Sequence, residues 1–355
     1  MSTKAALSFL AGLGLALSAS AQQEPSRSIT KITGDLYKAT QNSHHTAFLV
    51  TSEGIILTDP IGADFASWLK AELARRFDVP VRYVLYSHYH ADHVSGGAVF
   101  EDTAEFIGHE NMIPNLAAEE GNEVFANVRA PDRSYSDTLT LELGGKSVQM
   151  IHALPSHSDD SSIIYFPEER TVFAVDFVNV RRLPYRNMGG GPIQPWIDAN
   201  RDLQARVDYE IMAPGHGPIG TRSDVDDSTR YLEELLAAVA EGIAAGRSLE
   251  ELQKSVLMEK YVDWARYDAW RAENVEGAYL SLTAQPEPRP EPEAPRAEGD
   301  ELAELLGSGD YLLLDVRRPE ELEEHGTVEG YLNIPIEELA DRLDEVPRDR
   351  PVLTA

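Results

Sequence analysis

The chain has 355 residues, 42 % of them hydrophobic, with 60 acidic against 31 basic side chains and no cysteine. A formal net charge of −29 repels nucleic-acid phosphates and anionic lipid, so neither is an expected partner. Without a thiol there is no disulfide, no thiolate metal ligand and no cysteine nucleophile.

Residues 1–21 begin with a basic Lys4, continue through an apolar stretch from Ala5 to Leu17, and close on Ala19-Ser20-Ala21. This is the pattern of a secretory signal peptide cleaved after Ala21, which puts the expected protein in the periplasm or outside the cell. The apolar stretch is shorter than a bilayer span needs, so a stable membrane anchor is not expected there. Residues 29–37 and 46–58 alternate like strands, turning at Gly34-Asp35 and Glu53-Gly54, and the spacing over 63–77 predicts an amphipathic helix.

The apolar run 81–86 reads as a buried strand, and it ends on Ser87-His88-Tyr89-His90-Ala91-Asp92-His93. Three imidazoles and a carboxylate thus follow a rigid strand end, where metal ligands are best preorganised. Beyond it come a strand over 105–108 ending at His109 and a hairpin over 137–143 and 146–154 around Gly144-Gly145. Two further strands span 161–166 and 171–175. His157, Asp176 and His216 each stand where an apolar run gives way to a loop. His109 and His152 read as structural. His44 and His45 sit in the first hairpin loop, where they could face the cleft, although nothing in the spacing demands it. The loop 178–191 carries Arg181, Arg182, Tyr185 and Arg186 directly after Asp176. Two readings of it stand open: a clamp for a carboxylate or phosphate, or a solvated loop balancing an acidic chain.

From residue 228 to 282 the pattern turns helical, with Ser248 as an N-cap. Tyr261, Trp264, Tyr267 and Trp270 recur every three residues and read as core packing. Residues 285–298 place proline at nearly every second or third position, which predicts an extended linker before a second domain over 299–355.

The order H-x-H-x-D-H, then His157, Asp176 and His216, resembles the metallo-β-lactamase fold superfamily over residues 29–245, with helices extending the domain to 283. The resemblance implies an α/β fold, an αβ/βα sandwich. In it His88, His90 and His157 hold one divalent ion, Asp92, His93 and His216 hold the other, and Asp176 bridges them. Zinc suits this nitrogen-and-carboxylate set best, with iron and manganese as further options. The implied activity is hydrolysis of an ester, thioester, lactam or related bond by a hydroxide shared between two ions, with Asp92 as the catalytic acid–base residue. Asp59 matches an early acidic residue whose implied role is to fix a ligand imidazole. An aspartate at position 176 looks more like glyoxalase II than the true lactamases.

In the C-terminal region, the stretches Leu314-Asp315-Val316-Arg317, His325-Gly326 and Asn333-Ile334-Pro335 resemble the front half of a rhodanese domain, with Ala355 falling where the catalytic cysteine loop would begin. That partnership motivates an alternative, a mononuclear-iron persulfide dioxygenase.

Overall fold

The computed structural model describes residues 25–284, 305, 311–327, 330–339, 342, 345–347 and 351–354. The expected signal peptide and the expected linker over 285–298 lie outside the described residues. The chain divides into two compact units, Met1–Ala284 and Gln285–Ala355.

The first unit begins with β1 (Arg27–Thr33), β2 (Leu36–Gln41), β3 (His44–Val50) and β4 (Ile55–Leu57), followed by α1 (Ala63–Arg76). Then come β5 (Val81–Leu85), α2 (Ala91–Val94), β6 (Glu105–His109), α3 (Met112–Ala118) and β7 (Arg133–Tyr135). These seven strands make one sheet in chain order, antiparallel from β1 to β4 and parallel from β4 to β7. A second sheet is built from β8 (Thr138–Leu143), β9 (Lys146–His152), β10 (Ser162–Phe166), β11 (Thr171–Phe173), β12 (Ile211–Ala213) and β13 (Gly220–Thr221). It too is mixed, with β11 and β12 parallel and the other neighbours antiparallel. Four helices accompany it: α4 (Gln194–Arg206), α5 (Arg222–Ala244), α6 (Leu249–Ser255) and α7 (Tyr267–Thr283).

Strand alternation sorts the apolar residues into layers. Leu49, Ile56, Leu85 and Ile107 of the first sheet meet Val148, Met150, Ile164 and Phe173 of the second in a core between the sheets. Residues of opposite parity, among them Phe48, Leu57, Val84 and Phe106, face Phe65, Leu69 and Leu73 of α1 on the outer side. Each such large side chain contributes about 1.5–3 kcal/mol on burial, which is why the 63–77 periodicity gives a helix. The outer face of the second sheet is covered by α4, α5 and α7, through Trp196, Leu203, Leu235 and Val275. The result is a four-layer α/β sandwich.

Helices α3, α4 and α5 differ from the sequence expectation, α3 because no helix was expected between His109 and the hairpin. No helix was expected over α4, although Pro195 at its first turn and buried Trp196, Ile197, Ala199 and Leu203 carry both a start signal and a helical period. Helix α5 starts six residues before 228, because Asp224 Oδ2 accepts from both Thr221 N–H and Thr221 Oγ–H at 2.8 Å and anchors the first turn. Among the described residues no helix is long and apolar enough to cross a membrane.

The second unit has a small parallel sheet, β14 (Leu312–Asp315) between β15 (Leu332–Asn333) and β16 (Val352–Thr354), with α8 (Pro319–His325). Asp315, fully buried, receives the Arg317 guanidinium at 2.6 Å and Thr327 Oγ–H at 2.9 Å. The Asp315–Arg317 pair holds the Asp315 carboxyl down at about 2.

Candidate metal centre

All seven candidate ligands stand on the loops and the short helix that follow strand ends. His88 follows β5, His90 caps α2, and Asp92 and His93 lie within α2. His157 lies between β9 and β10, Asp176 just past β11, and His216 just past β12. The two sheets are tied together beside the site: His45 N–H donates to Gly215 O at 2.8 Å, and His44 pairs with His216 as an isolated bridge. Position 215 must be glycine, since a β-carbon there would stand 2.6 Å from Val175 Cγ1 and 3.0 Å from His93 Cε1. Asp176 is held at φ 67°, a left-handed conformation uncommon outside glycine and concentrated at functional sites.

The side chains form two groups, His88, His90, His157 and Asp176, and Asp92, His93, Asp176 and His216, with the ligand atoms of each group within 4.8 Å of one another. In the first, Asp176 Oδ2 lies 3.8 Å from His88 Nε2 and 3.4 Å from His157 Nε2, and His157 Nε2 lies 2.9 Å from His90 Nδ1. In the second, Asp176 lies 3.5 Å from His93 Nε2 and 3.3 Å from His216 Nε2, while Asp92 Oδ2 lies 3.6 and 3.4 Å from the same two nitrogens. Ligands about 2.1 Å from a tetrahedral cation sit roughly 3.4 Å apart, so these spacings fit one ion in each group. Asp176 belongs to both.

The backs of the imidazoles are fixed by hydrogen bonds. Asp59, wholly buried, accepts from Ser87 N–H at 2.7 Å, from Ser87 Oγ–H at 2.6 Å and from His93 Nδ1–H at 2.9 Å. Ser87 Oγ in turn accepts from His88 Nδ1–H at 3.0 Å, and Ser43 O accepts from His216 Nδ1–H at 3.1 Å. Each of the three rings therefore keeps its Nε2 lone pair for the interior. His88 Nε2 and His93 Nε2 are buried without any hydrogen-bond partner. Buried polar atoms of that kind call for a ligand, and the all-nitrogen-and-oxygen donor set fits a divalent cation.

Without a cation the rings differ in charge, and His93 must give up its Nε2 proton when an ion binds. Burial, followed by the neighbouring His93 and His157, pushes His88 far below the ordinary imidazole value, and burial with His157 lowers His90 to about 4. For His93, burial opposes the charged form, but the carboxylates of Asp176, Asp59 and Asp92 outweigh it and raise its pKa well above normal. Burial opposes the charged forms of Asp176 and Asp92, but His216 and His93, joined by His157 at Asp176 and by His44 at Asp92, hold both carboxyls well below the usual carboxylate range. Asp176 and Asp92 are thus anionic at neutral pH.

Other residues found near the centre had only weak signals. His44 Nε2 comes within 3.5 Å of Asp92 Oδ2, and its ring meets His216 edge-on at 4.7 Å. Trp196 of α4 sets its edge against His157 at 5.4 Å. His109 and His152 stack on each other at 3.7 Å and bond to backbone carbonyls of Ser136 and Asp159, away from both ligand groups. In the aromatic series, Tyr261 and Trp264 pack with Tyr231 as core, whereas Trp270 lies beneath arginines.

A sandwich of two mixed sheets that gathers two His/Asp groups at one edge defines a metal-binding, hydrolase-like enzyme. Residues 41–216 match the metallo-β-lactamase superfamily, and the chain carries a domain of that superfamily. It is 22 % identical over 232 residues to 2,4-dinitroanisole O-demethylase subunit alpha of Nocardioides sp. (strain JS1661), covering 64 % of this chain and 69 % of that one. With the linear primary-alkylsulfatase of Pseudomonas sp. (strain ATCC 19151) it shares 22 % identity over 237 residues, 53 % of this chain but 44 % of the relative, so it spans under half of that protein. A solved double mutant of a sec-alkyl sulfatase superposes with a TM-score of 0.61 at 13 % identity, over 90 % of this chain and 57 % of the other, a likeness of fold.

Proposed function

We propose that the protein is a dinuclear metal-dependent hydrolase acting on an ester, thioester, lactam or related bond of a small molecule. The observation that carries this reading is the completeness of both ligand groups around a shared Asp176. His88, His90 and His157 would hold one divalent ion and Asp92, His93 and His216 the other, with zinc the ion best suited to the donors. Such ions, when bound, lower the pKa of water and polarise the oxygen of the scissile bond.

The chain's own contribution is positioning and proton handling. Asp59, Ser87 and Ser43 lock His93, His88 and His216 in the tautomer that presents Nε2 to the interior. Trp196 flanks His157 and Val175 flanks Gly215, which keeps that side of the centre apolar. Asp92 is half exposed, unlike the buried His88 and His93, so its carboxylate sits at the boundary between the ligand group and incoming substrate. From there it can orient a water, take its proton and pass it to the leaving group. A complete second group supports hydrolysis over the mononuclear-iron alternative, which needs the first group alone. Sulfate esters join the candidate substrates through the alkylsulfatase relative. The secreted or periplasmic location rests on the sequence of residues 1–21, and the rhodanese-like reading of 299–355 on its motifs.

The test is reconstitution of metal-free protein with zinc and, separately, iron. Two zinc ions per chain with hydrolysis of at least one member of an ester, thioester, lactam and sulfate-ester panel is the expected result. One iron per chain with oxygen uptake on a persulfide, and no hydrolysis, would replace the proposal with the alternative.

A further inference from the structure

The loop after Asp176 holds an arrangement that ligand binding to the cations does not explain. The guanidinium carbons of Arg182 and Arg266 both lie over the ring of Trp270, 4.6 and 5.4 Å from its centroid. Among the described residues neither guanidinium has a hydrogen bond or an ion pair, in a chain with 60 acidic and 31 basic side chains. Acid is plentiful, yet none neutralises this pair. Two like charges on one indole repel each other, and the indole face offsets only part of that cost.

The backbone fixes the pair in place. Leu183 N–H donates to Ala265 O at 3.0 Å and Ala265 N–H to Arg181 O at 2.9 Å, a short ladder that sets Arg182 beside Arg266. Arg181 and Arg266 themselves adopt left-handed φ values of 47° and 70°, a conformation that costs non-glycine residues energy. Asn274, fully buried, donates from Nδ2 to Pro184 O at 3.0 Å and to Arg186 O, pinning the rest of the loop to α7.

Arg182 also reaches towards the metal centre. The Arg182 stem packs on Gly217, whose β-carbon position would be 3.9 Å from Arg182 Cβ and Cδ, and Gly217 directly follows the ligand His216. Burial lowers the Arg182 pKa, and the acids whose fields reach it are Asp176 and Asp92 of the ligand groups. Tyr185, 57 % exposed, stands edge-on to Trp270 at 5.1 Å and leaves an aromatic wall open to solvent.

We propose that Arg182 and Arg266, carried on Trp270, form a subsite for an oxyanion group (carboxylate, sulfonate or phosphate) on the substrate, remote from the bond that is cut. The planar fork of each guanidinium matches such a group in two parallel hydrogen bonds, and its arrival neutralises the unpaired charge. The subsite rests on the reading of the adjacent centre as that of a hydrolase. It adds that the preferred substrates are anionic, despite the protein's own negative charge.

The experiment compares two esters with the zinc-loaded protein, 4-nitrophenyl butyrate and 4-nitrophenyl hemisuccinate, which differ by a terminal carboxylate. The expected kcat/KM ratio favours the hemisuccinate, and in R182Q and R266Q that ratio falls by about 10- to 100-fold, the range of a lost charge-assisted hydrogen bond. R182K recovers part of it. A purely structural role would lower the melting temperature and leave the ratio unmoved. Benzoate, benzenesulfonate and phenyl phosphate binding, followed by tryptophan fluorescence, separates this proposal from the hydrolase reading. Binding that is lost in both variants supports the subsite even if neither ester is cleaved. Equal binding by wild type and both variants overturns it even if both esters are cleaved. Arg266 is exposed, so R266Q keeps the test informative if R182Q does not fold.

Discussion

Asp59→Asn isolates the support of the metal centre from the ligands themselves. In the wild type one carboxylate oxygen takes Ser87 N–H at 2.7 Å, and the other takes both Ser87 Oγ–H at 2.6 Å and His93 Nδ1–H at 2.9 Å. An asparagine can still accept from Ser87 N–H, but its amide nitrogen then faces two donors. His93 escapes the clash by moving its proton to Nε2, the atom 3.5 Å from Asp176, and so loses the lone pair a cation needs. Losing a hydrogen bond to a charged group costs about 1.5–3 kcal/mol. Support residues behind metal ligands contribute a similar amount, roughly 10- to 100-fold in affinity. The assay is competition for zinc with a chromophoric chelator, with circular dichroism as the check on folding. The expected outcome is a folded protein whose weaker zinc dissociation constant rises by about 10- to 100-fold. Two constants within twofold of wild type would refute the reasoning that Asp59 sets the His93 tautomer.

Asp92→Asn should cut kcat by about 10²- to 10⁴-fold on any hydrolysed substrate, the usual scale for a proton-transfer group, with the melting temperature little changed. Near-normal turnover would remove Asp92 from proton transfer. Asn274→Ala leaves Tyr231 Oη–H and two loop carbonyls without their partner and should cost about 2–4 kcal/mol by urea denaturation; a loss under about 1 kcal/mol would show that the loop does not depend on it. The metal-free protein should melt at lower temperature as pH falls from 7 to 5. His90 and His45, both lowered to about 4, and His88, lowered further, stay neutral in the fold while their unfolded counterparts take up protons below about 6.5. The unfolded chain then binds more protons, so stability declines with acid. His93, raised instead, contributes stability that is present below about 6.5 and lost only as pH rises through its folded value, and Asp160, raised by burial to about 6, likewise takes up its proton in the fold before the unfolded chain does. These two oppose the trend against five lowered imidazoles, since His152 and His157 join the three above. A flat or rising melting temperature over that interval would contradict these charge states.

The seven clustered residues could be picked out of the sequence because His88, His90, Asp92 and His93 crowd into one short stretch after an apolar run and the other three stand near the ends of later apolar runs. The strands and α1 were legible for a related reason, since burial on one face leaves a period in the sequence. What stayed hidden depends on pairs far apart in the chain. Nothing near Trp270 announces that Arg182, 88 residues earlier, lies over its ring, and the period of three running from Tyr261 into α7 suggested core packing instead. The partnership of Asn274 with the carbonyls of Pro184 and Arg186 is equally silent. His44, placed by the structure at the start of β3, looked like any loop histidine because its neighbour Asp92 arrives from helix α2. Helix α4 was a different failure, as its proline start and apolar period were present but lay behind a glycine-rich loop that masked the boundary.

Anomalous diffraction from a zinc-loaded crystal, recorded on both sides of the zinc absorption edge, would locate the ions without reference to activity. Two peaks per chain are expected. One should lie about 2.0–2.3 Å from His88 Nε2, His90 Nδ1 and His157 Nε2, and the other at similar distances from Asp92, His93 Nε2 and His216 Nε2, with Asp176 touching both. A single peak, or peaks away from Asp176, would contradict the shared centre on which the proposed hydrolysis depends.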